Sequence, residues 1–231
     1  MNKSWLIPPP ETVALPVSGT TGFFPVRRIY CVGQNYADHA REMGSDPSRR
    51  APFFFSKPPQ ALVTDGEFRY PSASQEVHHE VELVVALSQG SSGMSPESAL
   101  QYVYGYAVGL DMTRRDLQTE AKKAGRPWDS GKAFEGSAPC SPLVPAAQVG
   151  HPTVGRIWLS VNGQPRQQGD LSHMIWNVPE IIAHLSRLFV LHPGDLIFTG
   201  TPAGVGPVVP GDQIEAGIDG IASLSLRVLP C

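Results

Sequence analysis

The sequence predicts a β-rich α+β protein with a few short helices, and three observations predict it. Glycine and proline number 23 each in 231 residues, about a fifth of the chain against roughly 12% in average usage, and both residues punctuate turns and short strands. Short apolar runs, alternating or continuous, recur along the chain. Helical spacing is confined to brief segments, such as the stripe Ile181, Ile182, Leu185 and Leu188. Many strands with a few helices is the α+β pattern. The length suits one large domain, or a domain with a small appendage.

Taken in order, residues 1–24 are rich in proline, glycine and threonine and read as an arm on a body spanning 25–231. A first strand is expected over 26–32 and a short helix over 36–43, closed by Gly44. Residues 44–52 are polar and turn-rich and read as a mobile loop. The aromatic run Phe53, Phe54, Phe55 reads as core. Strands follow over 61–64 and 77–87. A helix over 96–102 has Ser95 as its cap, Pro96 at its first position and Glu97 in its first turn. A buried strand over 104–111 precedes a helix opening at Thr113, with Asp116 as the N3 partner and Gly125 as its stop. Asn162-Gly163 marks a hairpin after a strand over 157–161. A helix spans 178–188, and strands over 195–198, 213–216 and 222–228 complete the chain.

Composition excludes several function classes. The formal net charge is −3 and charged residues make up 17%, so neither a nucleic-acid surface nor a polybasic membrane patch is expected. No apolar run approaches the ~20 residues of a membrane span, and the first ten residues hold no signal-peptide core. Cys31, Cys140 and Cys231 are odd in number and widely spaced, which excludes zinc spacing and suits a reduced, cytoplasmic setting. Cys31 reads as a small core hydrophobe, and none of the three is a good nucleophile.

The candidate chemistry is acidic. Glu80 and Glu82 are two apart in an apolar strand, so both side chains would share one face. Paired like charges there repel and are costly to desolvate, a conflict that a divalent cation such as Mg²⁺ removes; the alternative is a solvated strand face. Asp111, at a strand end, could complete a three-carboxylate site or merely favour the next helix N-terminus. His39 and Glu42, three apart on a helix, form a neighbouring imidazole–carboxylate pair, either a surface pair or a general base able to draw a proton from water. Arg115 and Gln118 share a helix face and suit carboxylate capture, although Arg114 is equally available. Lys132 sits in a glycine-containing segment, either solvated or facing developing enolate charge. Lys57 could meet a second carboxylate or face solvent. The glycine-rich 198–206 lacks a Walker ending and is either a tight connection or a loop whose amides meet a substrate carboxylate.

In order along 25–230, the chain carries Val32-Gly33-Gln34-Asn35-Tyr36-Ala37-Asp38-His39, Phe54-Phe55-Ser56-Lys57-Pro58, His78-His79-Glu80-Val81-Glu82-Leu83 and Tyr106-Ala107-Val108-Gly109-Leu110-Asp111-Met112-Thr113. Lys132-Ala133-Phe134, Val161-Asn162-Gly163, Gly194-Asp195 and Thr199-Gly200-Thr201-Pro202-Ala203-Gly204-Val205-Gly206 follow. This ordered set resembles the fumarylacetoacetate hydrolase family, in particular its short members acting on acylpyruvates. The resemblance implies a mixed β-roll or sandwich and a homodimer. It implies Mg²⁺ or Mn²⁺ held by Glu80, Glu82 and Asp111, and a lid-borne dyad of His39 and Glu42. Lys132 matches the family lysine near the metal, and Arg115, Gln118 and Thr201 match substrate contacts. The implied activity is hydrolysis of a C–C bond in a 2,4-dioxo acid in aromatic catabolism. Decarboxylation of oxaloacetate, or isomerisation and decarboxylation in aromatic degradation, is an alternative. A non-catalytic metal-binding module is a remote one.

Overall fold

The computed structural model describes residues 5–44, 46 and 50–231. The loop expected over 44–52 and the arm expected over 1–24 therefore lie partly outside the described residues. Its largest sheet has six strands in the order Val144–Pro145, Val103–Leu110, Val81–Leu87, Asp195–Phe198, Arg28–Gly33, Phe53–Lys57. Asp195–Phe198 runs parallel to Arg28–Gly33, and the other pairings in this sheet are antiparallel.

Every residue of Val81–Leu87 is buried, because the sheet is covered on both faces. Leu83, Val85 and Leu87 point into one cluster, together with Ile157, Leu159, Ile214 and Leu226 of a second sheet. Val84 and Ala86 point the other way, into a cluster with Leu15, Phe24, Ala138 and Leu143. Side chains alternate faces along a strand, so a doubly covered strand reads as an unbroken apolar run.

The second sheet has five strands in the order Gln164–Asp170, Arg156–Val161, Gln213–Ile218, Ala222–Leu229, Glu67–Arg69. It alternates buried and exposed positions and packs one face on the core. Its first hairpin turns at Asn162 and Gly163, with φ of 52° and 73°, as a type I′ turn requires. The segment before the body is itself packed: Ala14–Pro16 pairs with Phe23–Pro25, and Leu15 and Phe24 are buried. Among the described residues, no helix is long and apolar enough to cross a membrane.

The structure corrects several local expectations. The strand expected over 77–87 is broken at Glu80. Val77–His79 belongs to a separate three-stranded sheet with Thr113–Arg114 and Gly206–Val208. The helix expected to open at Thr113 spans Arg115–Ala124 and has no side-chain cap. Thr113 pairs with His78 instead, and its hydroxyl donates to the Asp111 carbonyl. Ser95 makes no capping hydrogen bond to the helix Pro96–Ala99 either. Helix Val178–Leu188 buries Ile181, Ile182 and Leu185, but Leu188 is 64% exposed, since the helix ends there and turns outward. Its start is fixed by a capping box of Asn177 and Glu180 that sequence reasoning missed. The aromatic run forms an edge strand, with Phe53 40% exposed rather than in the core.

Candidate active site

Strands Arg28–Gly33, Val103–Leu110 and Asp195–Phe198 end at one side of the six-stranded sheet, where Phe53–Lys57 and Val81–Leu87 begin. A cleft opens at that end. Glu80 supplies its carboxylate from the break before Val81–Leu87, Glu82 from within that strand, and Asp111 from just past Val103–Leu110. All three are buried, and each offers an oxygen within 4.8 Å of the others. The expected shared strand face is thus replaced by a kink that aims Glu80 at the same point.

Three buried cations answer these carboxylates. Lys132 Nζ donates to Glu80 Oε2 at 2.8 Å, Asp111 Oδ2 at 2.6 Å and Thr113 Oγ1 at 2.6 Å. Lys57 Nζ lies 2.8 Å from Asp111 Oδ1 and donates to Ser137 Oγ at 3.0 Å and to the carbonyl oxygens of Met112 and Lys132. Arg115 donates to Glu80 Oε1 and, at 2.6 Å, to Gln118 Oε1. Lys132 is therefore not solvated. It closes a short helix, Asp129–Lys132, that lies tight against helix Arg115–Ala124 because Gly131 has no Cβ. One built there would meet Gln118 at 3.0 Å. Arg114 points elsewhere: its guanidinium stacks 4.2 Å over the Phe134 ring and donates to the Ser130 carbonyl. Arg115 is the arginine of the cleft.

The electrostatics divide the two glutamates. Burial would raise Glu80, but Lys132 and Arg115 outweigh it and hold its carboxyl far below the usual range. Burial, then Asp111 and Glu80, push Glu82 well above that range, against the Gly200 N–H at 2.7 Å and the charge of Lys132. Burial lowers Lys132, but Asp111 and Glu80 raise it overall. Glu82 is thus the under-compensated charge of the cluster. Asp111 Oδ1 accepts no aligned hydrogen bond despite its close lysine. An all-oxygen donor set converging on one point, with Asp111 Oδ1 met by no aligned donor and Glu82 in no ion pair among the described residues, fits a hard divalent cation.

His39 faces the same cleft from helix Ala37–Glu42. Its Nδ1 lies 3.1 Å from Glu42 Oε2, and Glu42 accepts the Gly204 N–H at 3.0 Å. Two amides of the glycine-rich loop thus serve the protein's own carboxylates, Glu82 and Glu42, not a ligand. Gly200 holds φ of +97°, and a Cβ on it would strike that of Asn35 at 2.7 Å. This turn presents Thr201 to the cleft.

Sequence reasoning missed two polar anchors. Gln167 is buried between the strand break and the loop. Its Oε1 meets His79 Nδ1 at 2.8 Å and the Val81 N–H at 3.1 Å, while its Nε2 donates to Thr201 Oγ1 at 2.8 Å. Nothing in its polar surroundings, Gln164–Asp170, marked it out. Asn35 joins three segments through the Thr199 and Trp176 carbonyls and the Trp176 N–H. Lys57, expected to meet a second substrate carboxylate or solvent, is committed to Asp111. The buried thiols take no part: burial pushes Cys31 and Cys140 well above the ordinary thiol range.

Comparison with known proteins agrees with this geometry. Residues 28–229 match the model of the fumarylacetoacetate (FAA) hydrolase C-terminal family. A fumarylpyruvate hydrolase from Ralstonia sp is 49% identical over 186 residues, 80% of this chain and 96% of that protein. The mitochondrial oxaloacetate tautomerase FAHD1 of Mus musculus is 46% identical over 203 residues, 87% of this chain and 91% of that protein. Among solved structures, fumarylpyruvate hydrolase from Pseudomonas aeruginosa in complex with Mn²⁺ and pyruvate superposes with a TM-score of 0.97 at 51% identity, covering 99% of this chain and 100% of that one.

Proposed function

The chain belongs to the fumarylacetoacetate hydrolase family, and we propose that it hydrolyses the C–C bond of an acylpyruvate, with fumarylpyruvate giving fumarate and pyruvate. One observation carries this reading: a buried three-carboxylate cluster lines one cleft with His39, whose Nδ1 is held by Glu42. Relatives named for fumarylpyruvate hydrolysis, one of them solved with Mn²⁺ and pyruvate, support it. In this reading residues 25–231 form the catalytic unit with 1–24 as an arm, working as a cytoplasmic homodimer in aromatic catabolism.

Glu80, Glu82 and Asp111 would hold Mg²⁺ or Mn²⁺, which supplies Lewis-acid polarisation of the 2-oxo acid and charge neutralisation for an enolate. The remaining steps belong to the chain. Glu42 fixes the His39 tautomer through Nδ1, so the other ring nitrogen takes a proton from water. The hydroxide oxygen bonds to C4 and the C3–C4 bond breaks. Its electron pair moves into the pyruvate enolate, which is then protonated at C3. Lys132 offsets the enolate charge in a site shielded from water, while Arg115, Gln118 and Thr201 orient the substrate.

The test is ultraviolet loss of enolised fumarylpyruvate with Mg²⁺ and with chelator, scored for both products. Metal-dependent release of fumarate and pyruvate is expected. Failure to cleave with the cation bound overturns the reading. A second reading is favoured by the mouse relative named oxaloacetate tautomerase: the same cluster can stabilise an enolate without attacking water. Oxaloacetate tautomerisation or decarboxylation that survives His39→Ala, with no acylpyruvate cleavage, would select it.

A further inference from the structure

We propose that Lys122, at the mouth of the cleft, binds the distal carboxylate of the substrate's acyl group and makes the site selective for dicarboxylic acylpyruvates. This rests on the hydrolase reading and names the substrate class within it.

The first argument is the helix face. Arg115, Gln118 and Lys122 all line the cleft from helix Arg115–Ala124, and spacings of three and seven residues put them on one side of it. Arg115 and Gln118 are buried and Lys122 is exposed, so this face runs from floor to mouth. Seven residues advance roughly 10 Å along a helix. The two terminal carboxyl carbons of a seven-carbon chain such as fumarylpyruvate, six bonds apart, lie roughly 7 Å from each other. Helical side chains lean toward the N-terminus, which brings the Lys122 ammonium back over the gap.

The second argument is charge. The floor cations are committed: Lys132 and Arg115 to Glu80, and Lys57 to Asp111. Among the described residues, Lys122 is in no ion pair and is the one remaining cation that lines the cleft. Nearby exposed arginines have partners, Arg126 on Glu120 and Arg41 on Asp38.

The third argument is the wall between the two ends. Phe55 lies under Lys132 Nζ at 5.1 Å, and the Trp128 ring lies 5.9 Å from Lys122 Nζ. Their centroids are 5.9 Å apart, and Phe53 packs edge-on to Trp128 at 5.5 Å. This aromatic strip runs from Lys132 to the mouth lysine and offers apolar ring faces and edges to a conjugated acyl chain.

The test compares wild type, Lys122→Met and Lys122→Arg, with Mg²⁺, on fumarylpyruvate and on acetylpyruvate, whose acyl group is neutral. Lys122→Met is expected to raise KM for fumarylpyruvate at least tenfold more than for acetylpyruvate, with kcat changing less, and Lys122→Arg to recover most of that loss. Equal KM changes on the two substrates overturn the proposal and leave the hydrolase reading standing. A wild-type enzyme that cleaves neither substrate overturns both.

Discussion

The floor and the rim of the cleft are built on different principles. The floor gathers Glu80, Glu82, Asp111, Lys57, Lys132 and Arg115 from separate segments and buries all of them. Each charge depends on the others, so removing one strands its partners in a poorly solvating interior. The rim sets His39 and Glu42 side by side through helical spacing and ties Glu42 to the glycine-rich loop through the Gly204 N–H. In the proposed reading, activity is therefore expected to be lost at the rim without losing the fold. At the floor, chemistry and stability are the same interactions.

The strongest break is Glu82→Ala, expected to abolish both cation binding in calorimetry and turnover. Retained tight Mn²⁺ binding would remove Glu82 from the ligand set. His39→Ala comes next, with kcat falling about 10²–10⁴-fold, the usual contribution of a general base, while cation affinity and melting temperature stay close to wild type. If cation binding falls in step with turnover, floor and rim are not separable. Lys57→Met sharpens the contrast from the other side. It leaves the Asp111 carboxylate buried with one cation fewer and is expected to cost about 3–5 kcal/mol in urea unfolding; a loss below about 1 kcal/mol would show that Lys132 alone suffices.

The smallest effect is a pH dependence of cation stabilisation. The folded Glu82 carboxyl is raised, chiefly by burial and then by Asp111 and Glu80. Its contribution to metal-free stability is present below the unfolded carboxylate value and is lost as pH rises through the folded one. Glu80 is depressed, and its contribution is present above the unfolded value and lost on acidification. A bound cation cancels the Glu82 penalty. The melting-temperature gain from Mg²⁺ over chelator should therefore grow from acidic to neutral pH. A gain that shrinks over that interval contradicts the assignment.

Features specified by near neighbours are legible in the sequence itself. Asn162-Gly163 forces its turn, helix Val178–Leu188 begins and ends where its pattern does, and the i,i+3 spacing pairs His39 with Glu42. The acidic residues stand out because carboxylates beside apolar runs need a reason to be there. What stays hidden depends on distant partners. The break at Glu80 is set by pairing of Val77–His79 with Thr113–Arg114 and Gly206–Val208. Lys57 reads as an ordinary lysine until Asp111 arrives, and Gln167 as an ordinary polar strand residue until His79 and Thr201 close around it. Thr113 reads as a helix cap because its competing partner, Lys132, lies 19 residues ahead.

The parallel pairing of Arg28–Gly33 with Asp195–Phe198 bears on the order of events at the ribosome. At roughly 5–20 residues per second of synthesis, the early strand waits on the order of ten to thirty seconds for its neighbour. Through that interval it has Phe53–Lys57 on one edge and an open, apolar edge on the other, a surface suited to mispairing or to chaperone capture. Gly200 and Gly204 emerge just after that neighbour, so Glu82 and Glu42 wait as long for the amides they accept.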